Sequence, residues 1–165
     1  MTDPGNGSRK RNAGLAQASS PYVLFVDDDS ILRDGCIKKM VAALQAAPPL
    51  SFVYSDYERF VLPGVQCPCP AGYFSAGPFN VRRLRTGNYI NTTSLVRREV
   101  CPRWDETLER FQDWDLWLSL VLSGGVGGYI QEALYELWQI DASVSGTVKA
   151  NPYIEMIVAK HGLNR

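Results

Sequence analysis

The 165-residue chain has a single histidine, His161, and four cysteines, Cys36, Cys67, Cys69 and Cys101. One histidine and one close cysteine pair, Cys67-Pro68-Cys69, give a structural zinc centre little support. The cysteines read as reduced, in a cytoplasmic setting. Net charge is zero. That argues against a broad nucleic-acid or anionic-membrane surface, though not against a local basic site. No apolar run approaches the length of a membrane span, and the polar start does not read as a secretory signal. No internal repeat is visible. What is present is ordinary globular composition, 45% apolar and 21% charged, enough for one domain that buries about 70% of its unfolded surface.

The most informative stretch is Tyr22-Val23-Leu24-Phe25-Val26-Asp27-Asp28-Asp29. A short apolar run bounded by Pro21 reads as a buried strand, and its lack of alternation suggests a parallel strand covered on both faces. Three adjacent aspartates repel one another unless water or a cation screens them. In an extended segment Asp27 and Asp29 point to one side and Asp28 to the other. The expectation is an Asp27-x-Asp29 pair holding a hard divalent cation at the carboxyl edge of the sheet. A solvated acidic strand end, or a helix cap at Asp28 or Asp29, accounts for the same residues equally well.

The rest of the chain alternates helix and strand signals. Residues 1–8 read as a flexible tail, and residues 9–165 as one domain. Arg9-Lys10-Arg11-Asn12 precedes a short helix over Ala13 to Ala18; the basic triplet suits a solvated face or a phosphate contact. Ser30 to Ala47 reads as a helix capped by Asp29 or Ser30. Its inward face carries Ile31, Cys36, Ile37, Met40, Val41 and Leu44. Leu50 to Tyr54 reads as a strand ending at Ser55-Asp56, and Arg59 to Pro78 as an irregular loop with at most a short hairpin. Val81 to Thr86 suits a short helix and Thr92 to Val96 a strand. Asp113 to Leu122 suits a buried helix closed by Gly124-Gly125. Gly127 to Gln131 and Leu134 to Ile140 read as two strands, Asp141 to Gly146 as a turn, and Pro152 to Lys160 as a closing helix. Asp113 and Asp115 sit in a first helical turn, where the dipole favours negative charge. They either stabilise that end, or Asp113 opens into a cleft as a general base that the dipole keeps ionised.

Several blocks together resemble family 2 glycosyltransferases of the GT-A fold. Arg11-Asn12-Ala13-Gly14-Leu15, Ala18 and Tyr22 through Asp29 resemble the block that ends in the family's D-x-D motif. Val53-Tyr54-Ser55-Asp56 is similar to the strand after it. Asn88-Tyr89-Ile90 with Arg97-Arg98 resembles a later segment. Trp104-Asp105-Glu106-x-Leu108 followed by Asp113-Trp114-Asp115-Leu116-Trp117-Leu118 resembles the block holding the catalytic base. The series covers roughly residues 9 to 145. It implies an α/β domain, the C-terminal part of a GT-A fold, Rossmann-like with a mainly parallel sheet. It also implies inverting transfer of a sugar from a nucleotide-sugar, a UDP-sugar first among donors, to the hydroxyl of a glycan or other acceptor. By that resemblance Asp27 and Asp29 would hold Mn²⁺ or Mg²⁺, and Asp113 would be the base. Arg11, Asn12, Asp27 and Asp28 would face the nucleotide-sugar, and Asn88, Tyr89 and Asp56 the acceptor.

The chain also departs from the pattern. The family's first β-α-β-α unit is expected to be absent, which would leave an open sheet edge through which copies could pair. Gln112 stands where the family has an acid before the base, and Ser119 where it has an arginine. The Tyr-Arg-x-His segment is replaced near Trp138-Gln139-Ile140-Asp141. A non-catalytic binding or oligomerisation module derived from a glycosyltransferase is the alternative reading. Either would be cytoplasmic, or peripheral to the inner face of the membrane. Val23 to Leu32 is also similar to the first strand of a receiver domain. That fold needs a phosphoacceptor aspartate near Cys67 to Phe74, where there is none.

Overall fold

The structure, a computed structural model, describes residues 7–65, 70–139 and 151–163. Its elements are α1 (Gly7–Gln17), β1 (Tyr22–Leu24), β2 (Ser30–Leu32), α2 (Cys36–Ala46), β3 (Phe52–Val61), β4 (Gly72–Phe74), α3 (Val81–Thr86), β5 (Leu95–Arg97), α4 (Gln112–Leu122), β6 (Gly127–Gln139) and α5 (Asn151–His161). The Cys67–Cys69 pair, residues 1–6 of the expected tail, and the expected turn at 141–146 lie outside the described residues. Gly7 and Ser8 belong to α1, with Ser8 fully buried.

The long strands β3 and β6 form the spine of a sheet ordered β1-β5-β3-β6-β2, with β4 also on β3. Alternation along β3 sorts the core into two layers. Phe52 and Tyr54 face α4, packing with Trp114, Leu116 and Trp117. Val53 faces α2, packing with Cys36, Met40 and Leu44. Phe52 stacks on Trp117 at 5.0 Å between ring centroids. Burial raises both described thiols, Cys101 to about 12, so they stay protonated and inert at neutral pH.

Helices pack on both faces, as expected of an α/β domain. The expected mainly parallel sheet is corrected. Among the described residues only β3 and β6 run parallel; β1/β5, β2/β6, β3/β4 and β3/β5 are antiparallel. Parallel neighbours need a long crossover, and the passage through α3 and α4 supplies one between β3 and β6.

Other boundaries move for local reasons. Ser30-Ile31-Leu32 is an edge strand pairing with Tyr135–Leu137, not the start of a helix. Ile31 is therefore exposed. The helix begins after Gly35, whose φ of 76° reverses the chain without any side-chain cap. β3 runs on to Val61, and β4 folds back on Tyr57–Arg59, so part of the expected loop is a hairpin. The two strands expected after Gly127 are one, with register shifts opposite Ser55–Tyr57. Those bulges kept its residues from reading as one alternating strand.

Gly127 opens β6 directly opposite Phe52. A Cβ there would lie 2.6 Å from Phe52 Cζ and 2.7 Å from Phe79 Cδ2. Gly127→Ala should therefore displace the Phe52–Trp117 stack and cost about 1–3 kcal/mol, read as a lower midpoint in urea unfolding. An unchanged midpoint would mean the rings yield freely.

Candidate active site

Four separate segments meet at Arg11. The chain turns sharply after β1: Ser30 N–H donates to Asp27 O at 3.0 Å. Asp27 to Ser30 is thus a turn, which corrects the extended geometry expected for the three aspartates; Asp and Ser favour such turns. Arg11, on α1, reaches this turn. Its Nη2 donates to Asp27 Oδ1 at 2.6 Å, and its Nη1 to Gln112 Oε1 at 2.9 Å. The guanidinium lies 4.5 Å above the Trp104 ring. Gln112 opens α4, so one arginine ties the acidic turn to the helix that carries Asp113.

Asp113 accepts from Asn88 Nδ2 at 2.7 Å through Oδ2, and from the Trp114 amide at 2.9 Å through Oδ1. Phe111 just before the helix has φ 59°, the left-handed region that non-glycine residues seldom occupy. That strained residue sets the direction in which α4 leaves the loop. The Asp113 carboxyl is pushed up to about 6. Burial is the chief cause; Asp27 adds to it, while the Trp114 amide, Asn88 and Arg11 oppose it. The expected ionisation by the helix end is thus partly outweighed by burial. At pH 7 the group is still mostly a carboxylate, and it is a far better proton acceptor than an ordinary aspartate.

Asp29 is also raised, first by burial and then by Asp27 and Asp28. Its Oδ1 is buried without a hydrogen-bond partner. A divalent cation would answer both conditions. Among the described residues no three His, Cys, Asp or Glu side chains are grouped to hold a metal by themselves. Two carboxylates completed by substrate phosphates are the usual arrangement for Mg²⁺, and the donor set at this turn fits it. Asp28 is exposed.

The other sequence-derived candidates divide. Asn88 joins the Asp113 cluster directly. Tyr89 stands beside it, but its hydroxyl bonds the Asn80 backbone at 2.8 and 3.2 Å and its ring lies under Arg83. Asn12 is turned inward. It donates to Trp104 O and Glu106 Oε1, both at 2.9 Å, and accepts from Trp104 N–H at 2.8 Å. It holds Trp104 beneath Arg11. Asp56 is fully buried and accepts from Tyr73 Oη at 2.5 Å, Tyr129 Oη at 2.8 Å and the Ala76 amide at 2.8 Å. Its carboxylate thus anchors the 73–76 segment. Sequence reasoning missed Trp104 as the platform for Arg11, and Gln112 as its second acceptor. The only hint was a polar side chain immediately before Asp113.

Residues 4–104 match the family model described as Glycosyl transferase family 2. Over 164 residues the chain is 26% identical to YwdF of Bacillus subtilis (strain 168), described as an uncharacterized glycosyltransferase. That match covers 93% of this chain and 59% of YwdF. It is 25% identical over 156 residues to the uncharacterized protein y4gI of Sinorhizobium fredii (strain NBRC 101917 / NGR234), covering 90% of this chain and 16% of that protein. The chain therefore spans less than two thirds of either relative's length. Among solved structures, S. aureus TarS 1-349 superposes with a TM-score of 0.60 at 19% identity, over 84% of this chain and 42% of that one. The shared feature is the fold, that of part of a GT-A glycosyltransferase domain. Among the described residues no helix is long and apolar enough to cross a membrane.

Proposed function

The chain belongs to glycosyl transferase family 2, and on that premise we propose that it transfers a sugar, with inversion, from a nucleotide-sugar to an acceptor hydroxyl. The observation that carries this reading is Asp113. It is a carboxylate raised to about 6, oriented by Asn88 and the Trp114 amide, and within electrostatic reach of Asp27. Asp113 takes the proton of the acceptor hydroxyl as that oxygen attacks the anomeric carbon. The bond from that carbon to the donor's diphosphate breaks, and the diphosphate leaves with its electron pair. Asn88 fixes the carboxylate's direction, and Tyr89 borders the acceptor. Arg11 holds Asp27 and Gln112 in register, which sets the distance between the donor and acceptor halves; such positioning lowers the entropic cost of reaction. Asp27 and Asp29 would hold Mg²⁺ or Mn²⁺. When bound, the cation neutralises the leaving diphosphate. Asn12 acts through Trp104, keeping the platform under Arg11 in place.

UDP is the first nucleotide to test. Titrating UDP into the purified chain by calorimetry should give binding with Mn²⁺ that falls at least about tenfold without it. Asp29→Ala should bind no better with metal than without. Binding indifferent to both metal and Asp29 would overturn the metal assignment. A well-folded chain that binds none of the common nucleoside diphosphates and self-associates would favour the non-catalytic module.

A further inference from the structure

Resting on the donor reading above, we propose that Arg59, assisted by Tyr135, is a second ligand for the donor's diphosphate, across Leu137 from Asp29. Arg59 on β3 pairs with Leu137 on β6, and Leu137 pairs with Ser30 on β2. The three side chains therefore form one row on one face of the sheet. The neighbouring row on that face is Tyr57, Tyr135 and Leu32. Ring contacts agree: Tyr57 stacks on Phe74 at 5.2 Å and on Tyr135 at 5.3 Å, and the Arg59 guanidinium lies 4.6 Å from the Phe74 centroid.

On this face Arg59 Nε and Nη1 and the Tyr135 hydroxyl are buried without hydrogen-bond partners. Arg59 makes one long bond, from Nη2 to Tyr57 Oη at 3.4 Å. The nearest carboxylates in sequence, Glu58 and Glu136, fall on the opposite face by alternation, where Arg33 pairs with both. A guanidinium cannot shed its charge, and leaving its N–H groups buried and unanswered is costly. The missing acceptor is an anion, and a forked donor suits phosphate oxygens.

Asp29 fixes which anion. Its carbonyl accepts from Trp138 N–H at 2.7 Å, which holds the acidic turn beside Leu137. The turn that carries Asp29, with its unanswered Oδ1, and the strand that carries Arg59, the unanswered donor, thus lie on either side of β6. The Cα atoms of Arg59 and Ser30 are two strand spacings apart, about 10 Å. A long arginine side chain and a diphosphate close that gap together.

The test uses inorganic pyrophosphate, a diphosphate with no base or sugar, titrated with Mn²⁺ into the full chain. Arg59→Gln should weaken binding about tenfold or more, and Arg59→Lys should recover only part of it. Arg59→Gln binding like the parent while Asp29→Ala loses binding would overturn the Arg59 assignment and leave the donor reading standing. No effect of either substitution would overturn both. If Arg59→Gln fails to fold by circular dichroism, Arg59→Lys decides: clearly weaker binding supports the proposal and unchanged binding defeats it.

Discussion

Asp113→Asn should lower the transfer rate constant by about 10³-fold or more and leave donor binding within about twofold. Asparagine can still accept from the Trp114 amide, so the first turn of α4 keeps its shape, but it cannot take a proton. The parent rate should climb with pH through about 6 and then level, because Asp113 titrates there and only the carboxylate is a base. The variant's residual rate should show no such step. Stability gives an independent reading of the same group. Its native value of about 6 lies above the unfolded one of about 3.9. The native state therefore binds more protons between those values. Its contribution is fully present below about pH 4 and is lost as pH rises through about 6. At pH 7 the buried charge opposes folding, so Asp113→Asn should match or exceed the parent in stability, by something on the order of 1–3 kcal/mol. The advantage should vanish below pH 4. Equal loss of transfer and donor binding would place Asp113 in the donor site instead.

Three parts of this site were legible as residue types at recognisable spacing: the acidic turn, Asp113 at a helix start, and Asn88 two residues before Ile90. The apolar run before Asp27 and the tryptophan-rich helix were visible because burial imposes composition on them. What was not legible depends on pairing. Ser30-Ile31-Leu32 has helical spacing with Cys36 and Met40, yet β6 claims it as an edge strand. Nothing local distinguishes these outcomes, because the deciding partner is over a hundred residues away. The same holds for Arg11, whose value comes from Asp27 and Gln112 at once. Asp56 was misleading for a related reason. An aspartate near the carboxyl end of a strand looks available to substrate, but Tyr73, Tyr129 and the Ala76 amide had already taken its oxygens.

His161→Ala should cost about 3 kcal/mol of stability, although the residue lies at the end of the closing helix. Asp115, two residues after Asp113, has a side chain only 1% exposed. Its Oδ1 lies 2.7 Å from His161 Nε2 and its Oδ2 accepts from Lys160 Nζ at 2.8 Å. Lys160 also bonds Asp105 at 2.7 Å. Burial pushes Asp105 up, but the bonds from Lys160 and Thr107 outweigh it and hold its carboxyl at about 2. Removing His161 leaves Asp115 Oδ1 buried and unanswered, with Lys160 still on Oδ2, and vacates the space of a side chain only 7% exposed, which together cost roughly 3 kcal/mol. Replacing both sides should cost less than the sum, so Asp115→Asn with His161→Ala should show coupling above about 1 kcal/mol in urea unfolding at pH 7. Asp105 sets the acid limb: its contribution is present above about pH 4 and lost as pH falls through about 2. Single losses below about 1 kcal/mol, or losses that simply add, would mean α5 is held by its apolar residues, among them Ile154, Ile157 and Val158, rather than by this cluster. With the Asp115–His161–Lys160 contacts intact, the first turn of α4 is held from two sides. Arg11 reaches it through Gln112 and α5 through Asp115, and Asp113 lies between them.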